Sequence, residues 1–315
     1  LPDTVDSAAF AGLDRTAPIV ELGGPTMGTT WRVLYAGHAP ADDVGGGIEA
    51  VLASLVGQMS HWAPDSLLCR FNRAAAGDRV PLPPDFAAVI DTALRVAAAS
   101  DGAFDPAVGA LVDLWGHGPP GPMPQPDDDA IARARAVSGW RRLRWNPATQ
   151  RLRQPGGLAL DLSGIAKGYA ADAVADHLAA RGIANALVEV GGELVGRGVR
   201  PDGEPWWVDL ETPTDCRLPP LRIALHGLAV ATSGSYVRGD HTLDPRRGRP
   251  AANGVLSVSV IAGSAMLADA LATALTVCYP ETAPGGMRVA ARIIVRDGAG
   301  FREILTPAFS DMLVA

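Results

Sequence analysis

A mixed α+β fold is what the hydrophobic patterns predict, and three observations predict it. Helical spacing dominates the first half of the chain. The last third reads as short apolar strands interrupted by one helix. Between them lies Leu158–Tyr169, around which the chain is organised: Leu158, Leu160 and Leu162 alternate as a strand would. Beyond Ser163, an expected N-cap, apolar positions recur at Ile165, Tyr169, Ala173, Val174 and Leu178, one face of a helix that Gly182 stops.

In order, residues 1 to 20 are irregular and read as a flexible arm. Residues 23 to 30 form a turn into a strand at Trp31–Tyr35. Ile48, Val51, Leu52, Leu55, Val56 and Met59 mark an amphipathic helix, followed by a loop through Ser66. A second helix spans Asp85–Ala99. Asp101–Pro106 is turn-rich, and the prolines from Pro119 to Pro126 make a loop that opens an acid-capped helix at Asp127–Val137. Leu143–Leu152 reads as a hairpin. The central strand and helix then lead to a strand at Ala186–Val190, a local β-α-β unit whose ligand end would be where strand meets helix. Strands follow at 206–210, 221–225, 255–261, 289–295 and 301–305, with a helix at Ser264–Val277. No repeat or low-complexity linker divides residues 21 to 315, which read as a single domain.

The 315 residues are 48% apolar with a net charge of −7, enough for a substantial core. Without a basic excess, nucleic acid is not an expected partner. Cys69, Cys216 and Cys278 have no paired spacing for zinc or a disulfide framework. No apolar run reaches membrane-spanning length. A chain that starts at Leu1 is compatible with a leader removed ahead of it.

Lys167 is the sole lysine among 27 basic side chains, and it lies in the first turn of a helix, where a cation is disfavoured. A bound anion would resolve that conflict; a frayed, solvated turn would too. Asp269 and Thr273, four apart in an otherwise apolar helix, share one face. A buried carboxylate there needs an arginine, hydrogen-bond donors or a metal, and two oxygen ligands suit Mg²⁺ better than zinc. His241 and Asp244 stand beside a turn, either as an acid–base pair or as structural loop residues. Gly191-Gly192 admits a close backbone approach to a ligand or is a plain bend, and Trp62 is either a ring-stacking or a packing residue.

The order of these stretches carries more than any one of them. Met27-Gly28-Thr29, Met59-Ser60 to Phe71-Asn72 and Gly102-Ala103-Phe104-Asp105-Pro106 come first. Asp161 to Tyr169, Val190-Gly191-Gly192-Glu193, Ala231-Thr232-Ser233-Gly234, His241 to Pro250 and Ala268-Asp269 to Thr273 follow. Together they resemble the ApbE-like FAD:protein FMN transferases over residues 22 to 305.

That resemblance implies a T-fold-related α+β architecture with mixed sheets and FAD held between two interleaved subdomains. It implies Mg²⁺-dependent transfer of FMN from FAD, through a phosphoester, to a Ser/Thr hydroxyl of a target protein, with release of AMP. The expected target carries a Ser/Thr-Gly-Ala-Ser/Thr-like sequence in a membrane redox complex, and the expected location is periplasmic. FAD contacts are expected at Met27, Trp62, Ala103, Phe104, Asp105, Asp161, Lys167, Gly191, Gly192 and Leu243. Many members have tyrosine where Trp62 stands. The metal is expected on the Gly164 carbonyl, Asp269 and Thr273; Ala272, where some members are acidic, implies a water in place of one ligand. His241, Asp244 and Lys167 are the expected catalytic groups. FAD hydrolysis without a protein acceptor, or FAD carriage without turnover, are the alternatives.

Overall fold

The computed structural model describes residues 7–10, 13–214, 216–235, 241–279, 288–298 and 300–313. Strands β1 (Ile19–Thr26) and β2 (Thr29–Ala36) are followed by α1 (Ala41–Met59), α2 (Leu67–Asn72), β3 (Arg79–Pro81), α3 (Pro84–Ala99), α4 (Gly109–Leu114) and α5 (Asp128–Val137). Then come β4 (Arg144–Asn146), β5 (Arg151–Arg153), α6 (Ala166–Ala180), β6 (Ala186–Val190), β7 (Glu193–Arg197), β8 (Trp206–Asp209), β9 (Arg222–Leu225) and β10 (Leu228–Gly234). The chain continues through β11 (Leu243–Asp244), β12 (Arg249–Pro250), β13 (Val255–Ala262), α7 (Ala265–Cys278), β14 (Ala290–Asp297), β15 (Gly300–Leu305) and α8 (Pro307–Ser310).

Eight strands form one sheet in the order β1-β2-β6-β7-β10-β13-β14-β15, antiparallel at every pairing. Alternation sorts its two faces. Trp31, Val33 and Tyr35 of β2 and Ala186, Val188 and Val190 of β6 are buried on the side covered by α1, α6 and α7. The other face meets a smaller core in which Trp206, Leu210 and Leu225 pack on Val230 and Ile261. The three-stranded sheet β3-β5-β4 includes the expected hairpin.

Two two-residue hairpin turns shape one end of the sheet. Met27 and Gly28 (φ 47° and 72°) join β1 to β2, and Gly191 and Gly192 (φ 64° and 103°) join β6 to β7. Positive φ at both central residues matches the twist of the flanking strands, which favours glycine and makes Met27 exceptional. Because Trp31 pairs with Val190 and Gly191 N–H donates to Thr30 O (2.9 Å), the turns lie side by side.

The segment before α6 corrects the expected β-α-β unit. Leu158, Leu160 and Leu162 are buried and alternate, yet no strand pairs with them. Side-chain amides take the ladder's place: Asn72 accepts from Leu160 N–H (2.8 Å) and donates to its carbonyl (3.1 Å), and Gln154 does the same for Leu158 (3.3 and 3.0 Å). The backbone groups are thus satisfied without a sheet. Ser163 is not the N-cap either. Its N–H donates to Asp161 Oδ1 (2.7 Å), and α6 starts after Ile165 with no side-chain cap.

Helix α7 is held against α6 at backbone distance. A Cβ on Gly168 would stand 2.2 Å from Ala265 O, so only glycine fits there. From α6, the Asp172 carboxylate accepts Ala265 N–H (2.9 Å) and Met266 N–H (2.8 Å), joining Ser264 in satisfying the start of α7. These contacts fix the helix that carries Asp269 and Thr273.

Candidate functional site

Where α6 begins, Lys167 stands beside two buried carboxylates. Its ammonium is ion-paired with Glu193, the first residue of β7, which the Gly191-Gly192 turn brings back toward the helix. Asp269 is as deeply buried, 3% exposed, with Oδ2 accepting the Gly168 N–H at 3.1 Å. Burial pushes the Glu193 carboxyl up to about 8, with Asp269 adding to the rise and Lys167 opposing it. Burial likewise raises Asp269, while Lys167 and the Gly168 N–H pull it down. Two buried carboxylates facing one lysine cannot both ionise cheaply, so the pair retains a proton unless a further cation joins it.

Oxygen donors surround this pair. Thr273 is one helical turn beyond Asp269, and its hydroxyl is 3.3 Å from Ser233 Oγ of β10. A Cβ on Gly164 would lie 2.8 Å from Thr273 Oγ1, which explains why a glycine backbone packs there. Glu193 Oε2 is buried with no hydrogen-bond partner among the described residues. No cluster of three His, Cys, Asp or Glu residues that could hold a metal occurs among the described residues. A metal held by Asp269, the Thr273 hydroxyl and the Gly164 carbonyl would need water or substrate oxygen to complete its shell, and those all-oxygen donors would suit a hard divalent cation such as Mg²⁺.

Two adjoining clefts meet at Lys167. The polar cleft, of about 460 Å³, receives Asp161, Gly164, Glu193, His241, Asp269 and Thr273. Ala103, Phe104, Asp105 and Leu243 also line it. The second, of about 580 Å³, is more apolar and lies under Met27, Leu55, Met59 and Trp62. Thr29, Ser163, Lys167 and Gly191 belong to both. Trp62 is 61% exposed at the mouth of the apolar cleft, so it does not serve the core.

Two expected residues stand apart from these clefts. Gly192 lines a groove on the opposite face of the sheet. Asp244 is buried in the β11–β12 turn, where its carboxylate accepts from Arg246 N–H and Nε, both at 3.0 Å. Their expected cofactor and catalytic roles therefore have no support from position. His241 does reach the polar cleft, with the His117 ring edge-on at 6.5 Å. Burial, then His241, holds the His117 imidazole below its usual range.

Sequence reasoning gave no role to three groups that shape the site. Glu193 carried one signal, an acidic residue directly after a Gly-Gly turn. Ser233 lies in β10, a sheet strand with little apolar period to mark it. His61 Nδ1 lies 3.5 Å from Asp161 Oδ2, both side chains nearly buried, so it braces the carboxylate that holds Ser163. Nothing local in the sequence announces that contact.

The model of the ApbE family matches residues 27–293. The chain belongs to that family. Among its relatives, the FAD:protein FMN transferase of Vibrio cholerae is 38% identical, covering 96% of both chains. The FAD:protein FMN transferase of Escherichia coli K12 is 35% identical over 94% of this chain and 90% of its own. Of solved structures, the Vibrio cholerae flavin transferase ApbE superposes with a TM-score of 0.87 at 36% identity, over 94% of this chain and all of that one. The apo flavinyl transferase ApbE of Pseudomonas stutzeri gives 0.88 at 37% identity, over 95% and 98%. The α+β fold is thus the ApbE fold, and this ApbE-family chain is an enzyme of the transferase class.

Proposed function

We propose that this enzyme transfers the FMN half of FAD to a Ser or Thr hydroxyl of another protein, using Mg²⁺ and releasing AMP. The observation that carries the reading is the meeting of a polar and an apolar cleft at Lys167. A dinucleotide with flat rings on either side of a diphosphate matches that division, its anionic centre at the lysine and its ring over Met27 and beneath Trp62.

In the balanced reaction, the acceptor oxygen forms a bond to the FMN phosphorus as the bond to the bridging oxygen of the diphosphate breaks. AMP leaves, and the hydroxyl proton passes to a base. In this reading His241 takes or directs that proton, a role supported by its half-buried position in the polar cleft. Lys167 holds the diphosphate through charge, with Glu193 keeping its ammonium in place. Asp269, Thr273 and the Gly164 carbonyl would hold Mg²⁺, which when bound neutralises and aligns the phosphates. Trp62, projecting into solvent, stacks on a ring and closes the apolar cleft over it.

The reading extends, on family resemblance alone, to a periplasmic setting and to acceptors in membrane redox complexes. Among the described residues no helix is long and apolar enough to cross a membrane.

Mass spectrometry tests the reaction. The enzyme is mixed with FAD, Mg²⁺ and a peptide bearing the Ser/Thr-Gly-Ala-Ser/Thr sequence. A peptide heavier by FMN, with equimolar AMP, is the expected result. AMP and FMN without modified peptide would make the enzyme an FAD pyrophosphatase, and intact FAD would make it a carrier.

A further inference from the structure

On the face of the sheet opposite α6 and α7, a groove of about 370 Å³ runs toward the reaction cleft. Its floor is one face of four strands: Leu34 of β2, Leu187 of β6, Leu194 of β7 and Val230 of β10. Its wall is the segment from Trp207 to Glu211, standing on the smaller core. Trp207 is 38% exposed, unlike its neighbour Trp206, which is buried.

The groove and the polar cleft share two residues, Thr232 and Glu211, so they join. Strand alternation explains the junction. On β10, Val230 and Thr232 face the groove while Ser233 turns to Thr273. The β6–β7 turn divides its glycines in the same way, Gly191 to the clefts and Gly192 to the groove.

The wall is anchored where it reaches that junction. Arg292, 1% exposed, donates from Nη1 to Thr212 Oγ1 (3.0 Å) and Glu211 O (3.4 Å), and from Nε to Glu303 (2.6 Å). These bonds from Nε and Nη1 hold the 211–212 backbone at a set height above the sheet, while Nη2 is buried with no hydrogen-bond partner among the described residues. The groove lining carries three carboxylates, Glu189, Asp209 and Glu211, and one guanidinium, Arg32; Asp209 is paired with Arg222 and Arg32 with Glu21, so the negative excess rests on Glu189 and Glu211.

We propose that this groove receives the acceptor protein: an extended, non-acidic segment that lies along Trp207 and the leucine floor and delivers its Ser or Thr hydroxyl past Thr232. The inference rests on the transfer reaction proposed above. It assigns FAD and acceptor to opposite faces of the sheet, which meet at one end of its central strands. Apolar side chains of the segment sit on Leu34 and Leu187, and small residues next to the hydroxyl pass the junction between Gly192 and Glu211. The excess of carboxylates in the lining disfavours an acidic flank.

Trp207→Ala and Glu189→Arg lie outside the FAD clefts and supply the test, with the same synthetic peptide as acceptor. Trp207→Ala should raise the peptide KM about tenfold, the loss of one aromatic anchor. FAD affinity and the thermal midpoint should stay at their wild-type values, and Glu189→Arg should shift the peptide KM with FAD affinity again unchanged. A photoreactive group beside the acceptor residue should label residues 207–211. Unchanged peptide KM in both folded variants, or labelling elsewhere, would overturn the groove while leaving the transferase reading intact. Weakened FAD binding would show instead that the groove holds part of FAD. If the wild-type enzyme modifies no peptide, the transferase reading fails and the groove assignment with it.

Discussion

Lys167 and Glu193 are 26 positions apart, on α6 and β7, and form an ion pair whose acidic side chain is 3% exposed. The anion that offsets a lysine in a first helical turn is thus, in the free protein, supplied by the chain itself. Asp269 presses a second carboxylate on the same ammonium. Burial raises both carboxyls, so in the free protein the cluster holds a proton that a further cation would displace.

Removing the lysine should damage both folding and chemistry. Lys167→Ala leaves two buried carboxylates without their cation, a change of about 3 kcal/mol, reduced by the partial exposure of the lysine. Lys167→Met with Glu193→Gln should recover most of that stability and none of the transfer activity. Denaturant midpoints and AMP release read the two effects separately. As the sole lysine, Lys167 should also be protected from amine-directed reagents by FAD and little by adenosine. Equal modification rates with and without FAD would remove the diphosphate from this residue.

For the metal, Asp269→Asn is the informative variant, because the amide oxygen can still accept the Gly168 N–H that Asp269 receives. The thermal midpoint should hold. AMP release should fall roughly a thousandfold or more, the loss expected for a phosphoryl-transfer metal. Isothermal titration with Mg²⁺ should show heat for the wild type and none for the variant. Near-normal turnover would sink the assignment of Asp269 to the metal.

Trp62 offers a different signature, since its exposure means that packing contributes little at this position. Trp62→Ala should leave stability unchanged and weaken FAD by about 1–3 kcal/mol, borrowing the magnitude of base–aromatic stacking. Trp62→Tyr should bind FAD nearly as the wild type does. Equal FAD affinity for the alanine variant, measured by flavin fluorescence, would make the ring a bystander.

Asp105 should write a pH dependence into stability. Burial pushes its carboxyl from 3.8 up to about 6, against opposing hydrogen bonds from Ala107 N–H and Trp140 N–H. Between those values the folded protein keeps a proton that the unfolded chain has released. The stability it contributes is complete below pH 3.8, is lost as pH rises through 6, and is flat beyond. The full span is at most about 3 kcal/mol. Thermal midpoints of wild type minus Asp105→Asn should therefore fall from pH 4 to 7; a constant difference would mean that Asp105 is ionised throughout.

Much of the scaffold was legible because it is local. The apolar spacing of α1, α3 and α7, the alternation of β2 and β6 and the short apolar runs of β13 and β14 are each properties of one element. Among the strands that escaped, β1 and β10 are rich in glycine, alanine or hydroxyl residues, whose small side chains give no such period, and β3, β7, β11 and β12 have five residues or fewer. β1 carries Gly23 and Gly24, and it begins at Ile19, inside the stretch expected as an arm.

By itself the sequence determined the motif order, the sole lysine, the Asp269–Thr273 face of α7 and hence the family and its reaction class. Tertiary structure alone decided what each polar group meets. Leu158–Leu162 has a strand's pattern, but the amides of Asn72 and Gln154 occupy its backbone bonds, so it stays outside the sheet. Glu193 reaches Lys167 through a glycine hairpin, and Asp244 is drawn into its own turn by Arg246 instead of facing the cleft. Periodicity is a property of neighbouring residues, readable along the chain. The partner of a buried charge is chosen by the lowest-energy way to satisfy it once distant segments have packed, and that choice exists only in three dimensions.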